Sequence, residues 1–144
     1  MASMDEVKQL AGSDSGLCVV ATTRTDGSVH ASVVNAGVMT HPESGQEVVA
    51  LVARGSARKV GLMRANGRAS ITFRRGWRWA GVEGQAEITD PAASPAGVDY
   101  PTLLREVFSA AGGTHDDWDT YDKVMADEGR VVVFITPDRV IGNG

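Results

Sequence analysis

The sequence predicts a mainly β (α+β) domain: a closed or nearly closed barrel of about six to seven strands, with short helices at its rim. Three observations carry that expectation. Short stretches rich in Val, Ile, Leu and Thr are separated by turn chemistry such as Asp26-Gly27 and His41-Pro42-Glu43-Ser44-Gly45. The helical stretches are inserted between strands rather than alternating with them, which disfavours a Rossmann arrangement. The chain has 144 residues and 42% hydrophobic content, enough for one real core, so residues 1–144 are expected to form a single domain.

Asp5 to Leu10 has a short helical pattern, with Gly12 as its expected stop. Gly16 to Thr23 reads as a strand, Asp26-Gly27 as a tight two-residue hairpin turn, and Ser28 to Val38 as the return strand. Glu47 to Ala53 is a third strand, completing a meander. Ser56 is placed to cap a helix over Ala57 to Ala65, and Gly67 to stop it. Ala69 to Phe73 is a strand, Arg74-Arg75-Gly76 a turn, and Trp77 to Ile88 a strand with a possible break at Gly84. Asp90 to Gly97 is a Pro/Ala loop. Pro101 suits a helix start, with Leu103, Leu104, Val107 and Phe108 at helical spacing and Gly112-Gly113 at its end. Asp116 to Asp127 is a further helix, with Trp118, Tyr121 and Met125 on one face. Arg130 to Ile135 and Arg139 to Ile141 are the last strands, separated by a Thr136-Pro137-Asp138 turn.

Composition narrows the function classes. No apolar run approaches the ~18 residues of a spanning helix. Met1 to Asp14 carries Asp5, Glu6 and Lys8 and has no apolar core of a signal peptide, so a cytoplasmic location is expected. The single cysteine, Cys18, excludes an internal disulfide framework and a cysteine-based zinc cluster. Net charge is −4, yet Arg54, Arg58, Lys59, Arg64, Arg68, Arg74, Arg75 and Arg78 are 8 of the 14 basic residues, with no acid between them. Residues 83–138 hold 12 of the 18 acids. The basic run either attracts a small anion or is a solvated face balanced by the acidic half. A nucleic-acid partner is not expected: the run is short, the chain acidic, and no nucleic-acid motif is present.

Motifs for side-chain catalysis are absent. There is no G-x-S-x-G elbow and no G-x-x-x-x-G-K-[ST] loop. His30, His41 and His115 do not pair at metal-ligand spacing. Asp116, Asp117 and Asp119 lack the glycine and glutamate of a calcium loop and suit a helix start instead. Cys18, central in an apolar strand, reads as a small buried hydrophobe.

One constellation stands out: Arg54-Gly55-Ser56-Ala57-Arg58-Lys59. A strand ends, a glycine turns, a serine caps, and two cations occupy the first helical turn. Cations there oppose the helix dipole by roughly 0.3–1 kcal/mol. An anion seated at the same helix start offsets that cost; the alternative is that both side chains reach into solvent. Trp77 and Trp79 flank Arg78 and share one strand face, which suits stacking on a planar ring or burial in a core or subunit interface. Ser32 and Asn35 are polar positions in a half-buried strand, able to hydrogen-bond a heteroaromatic edge or simply to face water.

Taken in order, a set of short stretches resembles a known superfamily. They are Val19-Val20-Ala21-Thr22 before Asp26-Gly27, then Ser32 and Asn35, then Arg58-Lys59 with Leu62. Asn66-Gly67-Arg68-Ala69-Ser70 follows, then Gly76-Trp77-Arg78-Trp79 with Val82-Glu83-Gly84-Gln85-Ala86, then His115-Asp116-Asp117-Trp118-Asp119-Thr120-Tyr121. The chain, from about Leu10 to Gly142, resembles the flavin and deazaflavin oxidoreductases of the pyridoxamine 5'-phosphate oxidase-like split β-barrel superfamily. The nearer likeness is to the actinobacterial class B branch that uses the deazaflavin coenzyme F-420.

The resemblance implies a split β-barrel homodimer with cofactor grooves between subunits. It implies a reductase that uses bound F-420 to transfer hydride to a conjugated small-molecule acceptor, such as an activated alkene or a tetrapyrrole, with no membrane or nucleic-acid partner. By position, Lys59 resembles the residue that holds the cofactor phosphate and anionic tail, with Arg58 beside it and Arg54, Ser56 and Ala57 in the same turn. Ser32, Val34 and Asn35 would lie on the strand that lines the ring pocket, with Ser32 or Asn35 as candidate polarising groups, and Val52, also a cofactor-binding position, precedes the phosphate turn. Trp77, Arg78 and Trp79 resemble the segment that reaches the site from the partner. Some relatives carry an Arg and a Pro before the Lys, where Ser56 and Ala57 stand here. Three rivals remain open: an FMN-dependent oxidase or reductase, a non-catalytic carrier of F-420, haem or a bile pigment, and a dimeric structural protein. The extended basic run favours the polyanionic tail of F-420 over the single phosphate of FMN.

Overall fold

The computed structural model describes residues 2–144. Helix α1 (Met4–Ser13) precedes strands β1 (Leu17–Thr23), β2 (Val29–Thr40) and β3 (Glu47–Arg54). Helix α2 (Arg58–Asn66) leads into β4 (Arg68–Arg75) and β5 (Arg78–Thr89). A 3-10 turn (Pro91–Ala93), α3 (Tyr100–Ala110), α4 (Trp118–Asp127) and the closing strand β6 (Arg130–Gly142) complete the chain. All strand pairs are antiparallel and close in the order β1-β2-β3-β6-β5-β4. The expected barrel with rim helices is therefore present, with six strands.

Local chemistry sets the elements. Ser3 caps α1 by accepting a hydrogen bond from the Glu6 N–H at 3.3 Å, with Asp5 and Glu6 in the first turn. Val7, Leu10 and Ala11 form its buried stripe. The helix runs past Gly12, because one glycine in a helix interior costs only about 1 kcal/mol. It ends where Ser15 and Gly16 take positive φ. The β1–β2 loop has three residues rather than two. Arg24 N–H donates to Ser28 O at 2.8 Å, and Gly27 supplies the left-handed position.

Two further expectations change. Ser56 caps nothing: Ala57 stands at the N-cap of α2 and no side chain caps that helix. Arg74 and Arg75 belong to β4, so the turn is Gly76-Trp77, and Trp77 lies outside β5. The two predicted C-terminal strands are one. Pairing shifts register at Glu83/Gly84, so that Glu83 faces Arg139 and Gly84 faces Pro137. This β-bulge absorbs Asp138 and accommodates a proline inside a strand without breaking it.

The core has two layers. Inside the barrel lie Val49 and Leu51 of β3, Val133 and Ile135 of β6, Ile71 and Phe73 of β4, and Val60 and Met63 of α2. Outside it, the opposite faces of β3 (Val48, Ala50) and β6 (Val132, Phe134) pack on Tyr100, Leu103, Leu104, Val107 and Tyr121 of α3 and α4. β3 and β6 are thus apolar on both faces, which explains their near-continuous hydrophobic runs.

Gly37 of β2 decides how α3 docks, because any Cβ there would collide with the backbone of Ala110 and Ala111. Gly37→Ala is expected to destabilise the fold by about 2–3 kcal/mol through overpacking. Gly12→Ala, in a helix with nothing within 4 Å of the added carbon, should be neutral to stabilising by about 1 kcal/mol. Urea unfolding of both variants checks this, and equal midpoints would contradict it.

Candidate functional site

A cleft of about 560 Å³ opens where β2, β3 and β6 meet the α3–α4 pair. One wall comes from Val34 and Asn35 of β2, Val52 and Arg54 of β3, and Ala57 and Lys59 at the start of α2. The opposite wall is Val107 and Phe108 of α3, Gly112 and Gly113 of the connecting loop, and Tyr121 and Met125 of α4. Arg130, at the start of β6, closes one end.

The cationic end is built by strand register. Arg54 and Arg130 are direct cross-strand partners at the ends of β3 and β6. Like charges so placed repel. Glu128 lies between them: it accepts from Arg54 Nη2 at 2.9 Å and from Arg130 Nε at 3.0 Å. Lys59 sits in the first turn of α2, and no acid pairs with it among the described residues. That turn has no side-chain cap; Val60 N–H donates to Ala57 O at 3.1 Å, and the Arg58 and Lys59 N–H groups are the ones left to a ligand.

The aromatic wall is an interlocked cluster. Phe108 and Tyr121 rings lie 4.9 Å apart, and Trp118 meets Tyr121 edge-on at 5.2 Å. Arg105 of α3 forms a forked ion pair with Asp122 of α4 and lies 5.4 Å over the Trp118 ring. The hydrogen bond from Arg105 holds the Asp122 carboxyl below the usual carboxylate range. Tyr121 donates to Leu104 O at 3.1 Å, and burial pushes its phenol up to about 12. This tyrosine is a wall and not a proton donor.

Six of the twelve sequence-predicted binding positions line the cleft: Val34, Asn35, Val52, Arg54, Ala57 and Lys59. Ser32 lies two residues from Val34 on the same face of β2, and its Oγ is buried with no hydrogen-bond partner. Asn35 Nδ2 donates to Ser15 O at 2.8 Å, so part of its amide braces the turn after α1. Ser56 and Arg58 are exposed and do not line the cleft. Trp77, Arg78 and Trp79 do not border this cleft of their own chain. Trp77 is 94% exposed and shares a surface depression with Trp79, Arg74 and Asn143.

The basic run does not form one surface. Arg64 pairs with Asp90 at 3.8 Å and Arg68 with Asp138 at 2.7 Å. Arg68 and Arg75 stand at opposite ends of β4. For Arg64 and Arg68 the acidic half balances the charge, Arg75 donates to Ser13 O at 2.6 Å, and the trio Arg54, Lys59 and Arg130 lines the cleft. Sequence reasoning missed Arg130, Phe108 and Tyr121 as lining residues. The one-face spacing of Trp118, Tyr121 and Met125 was the available signal for the helical wall; nothing local marked Arg130.

The remaining candidates are structural. His41 Nδ1 accepts from the N–H groups of Glu43 and Ser44 at 3.1 and 3.2 Å, which leaves Nε2–H to donate to Glu87 at 2.9 Å. His115 Nδ1 accepts from Asp117 N–H at 3.0 Å. Asp117 caps α4, accepting from Thr120 N–H and Oγ1 at 3.1 and 2.7 Å. Among the described residues, no cluster of three His, Cys, Asp or Glu is arranged to hold a metal, and no helix is long and apolar enough to cross a membrane. Burial pushes the Cys18 thiol up to about 12, which keeps it protonated and unreactive at neutral pH.

No family model matches the chain. Solved structures match it in fold. The conserved hypothetical protein Rv2991 from Mycobacterium tuberculosis superposes with a TM-score of 0.73 at 22% identity, over 99% of this chain and 84% of that one. An F-420 reductase gives 0.62 at 16% identity, over 93% of this chain and 94% of that one. A putative pyridoxamine 5'-phosphate oxidase from Listeria innocua gives 0.59 at 13%, over 96% of this chain and 95% of that one. The chain has their fold. It is a split β-barrel. At these identities the likeness is one of architecture, and the roles of the cleft residues rest on their own geometry.

Proposed function

We propose that the protein is an oxidoreductase that binds coenzyme F-420 in the cleft and reduces a conjugated small-molecule acceptor, such as an activated alkene or a tetrapyrrole. The observation that carries the reading is the cleft's division into a cationic end and an apolar, aromatic body. It lies on a fold shared with an F-420 reductase and a putative pyridoxamine 5'-phosphate oxidase. The residues fit such a cofactor. Lys59 has no acid partner and α2 has no side-chain cap, which suits a phosphate. Asn35 lines the cleft, and its amide oxygen suits a polar ring edge.

When bound, the deazaflavin ring supplies hydride chemistry. Everything else falls to this chain. Lys59 and the first turn of α2 would hold the anionic group. Val34 and Val52 would support the ring, and Asn35, which lines the cleft, would hydrogen-bond its edge. Phe108, Tyr121 and Met125 would exclude water and leave room for an apolar acceptor. No acid–base pair lines the cleft, so the reaction's proton comes from solvent. The site's contribution is orientation and dryness.

FMN is the second reading, and one observation favours it. Because Arg64 and Arg68 pair with Asp90 and Asp138, and Arg54 and Arg130 share Glu128, the cleft's net positive charge suits a single phosphate as well as a long anionic tail.

A homodimer belongs to the proposal. Leu17 and Val19 of β1 and Val29 and Val33 of β2 share an exposed apolar face, with Val29 60% and Val33 64% exposed. That face asks for a partner, and a second copy would bring an exposed Trp77 arm within reach of a neighbouring cleft. Sedimentation at micromolar concentration should give a dimer that Val33→Asp dissociates; a wild-type monomer would remove the partner half of this reading.

Side-by-side fluorescence titration with oxidised F-420 and FMN tests the cofactor. F-420 is expected to bind more tightly than FMN, and binding should weaken as salt rises. Lys59→Ala is expected to weaken binding about 10-fold or more, about 1.4 kcal/mol. Tighter FMN binding moves the protein to the flavin reading. An unchanged Lys59→Ala variant sinks the phosphate assignment.

A further inference from the structure

Glu128 carries two ion pairs in a place that needs only one. Arg54 and Arg130 are cross-strand partners, both line the cleft, and one carboxylate serves both. Adding Lys59, three cations and one acid meet there, a formal excess of two positive charges. The fold does not require Arg130 to be charged: Val131 and Val132 already anchor the start of β6 in the two core layers. The register nevertheless sets two guanidiniums side by side, the arrangement that takes an oxyanion through paired N–H donors. Both remain accessible, with Arg54 at 56% and Arg130 at 26% side-chain exposure.

We propose that Arg130 is a ligand-binding residue, that with Arg54 it forms a clamp for a second anionic group beyond the one held at Lys59, and that Glu128 is the positioning residue of that clamp. The inference rests on the cofactor reading of this cleft and deepens it. The site selects ligands carrying two separate anionic groups, phosphate or carboxylate, over analogues of the same ring with one such group or none. In the free protein Glu128 spaces the two guanidiniums. When the ligand arrives, its oxyanion shares them, and the carboxylate opposes it by charge. Removing that charge therefore tightens binding, provided an oxygen remains to hold the guanidiniums in place.

The test titrates purified full-length wild type, Arg130→Ala, Glu128→Gln and Lys59→Ala with F-420, FMN and riboflavin at low and high salt, with urea unfolding as the folding control. Riboflavin carries the ring and no phosphate. Arg130→Ala is expected to weaken F-420, which carries an anionic tail beyond its phosphate, about 10-fold at low salt, to flatten its salt dependence, and to leave FMN, whose single phosphate sits at Lys59, and riboflavin unchanged. Glu128→Gln is expected to tighten the anionic ligand about 3-fold at low salt, an effect a merely structural acid would not produce. Arg130→Lys keeps the charge and loses the fork, so it should fall between wild type and alanine.

Weakening by Lys59→Ala with no change from Arg130→Ala overturns the clamp and leaves the cofactor reading intact. So does weaker binding by Glu128→Gln. No effect from either cation variant, or equal binding of riboflavin and FMN, overturns the anion reading of the cleft itself.

Discussion

Everything in this structure depends on one strand pair that is apolar on both faces. β3 and β6 run antiparallel through the centre, with Val49 opposite Ile135 and Leu51 opposite Val133 facing the barrel interior. Their other faces, Ala50 and Val132 among them, carry α3 and α4. Burial of each such Val, Leu or Phe contributes about 1.5–3 kcal/mol, so neither layer survives without the pair. The same register that aligns the core ends on Arg54 opposite Arg130. The charged end of the cleft is therefore a consequence of how the core is threaded: where the hydrophobic run stops, two guanidiniums must face each other.

The cleft is the seam between the two layers. α3 approaches β2 closely because Gly37 has no side chain, and α4 is held to α3 by the Arg105–Asp122 pair and the aromatic cluster around Tyr121. The ends of β3 and β6 and the start of α2 supply the cations, and the helical pair supplies the apolar wall. The tyrosine of this wall donates to Leu104 O, and burial pushes its phenol up to about 12, so it stays protonated at neutral pH.

The barrel was legible because turn residues and two-sided apolar runs are local signals. Asp26-Gly27 marked the first hairpin, and Gly67 ended α2 as its left-handed conformation requires. The misreadings share a cause, which is that local pattern does not report distant pairing. A strand through Pro137 looked broken because the bulge opposite Gly84 belongs to another part of the chain. Ser56 looked like a cap, but the cap position falls one residue later. The basic run looked like one surface because its acids, Asp90 and Asp138, are remote in sequence. Of the site, the Arg54-to-Lys59 turn was readable because helix starts and cations are adjacent in the chain. Arg130 was not, because its significance arises only from its cross-strand partner. The relation between Trp77 or Trp79 and any cleft is a matter between copies, and a single chain leaves those rings at its own surface.

The measurement that tests the central claim most directly is a crystal structure of the protein with oxidised F-420. The account predicts the phosphate against Lys59 and the first turn of α2, a carboxylate or phosphate oxygen between Arg54 and Arg130, and the ring between Val52 and the Phe108–Tyr121 wall. A ligand lodged elsewhere, or crystals that exclude it at saturating concentration, would contradict that claim.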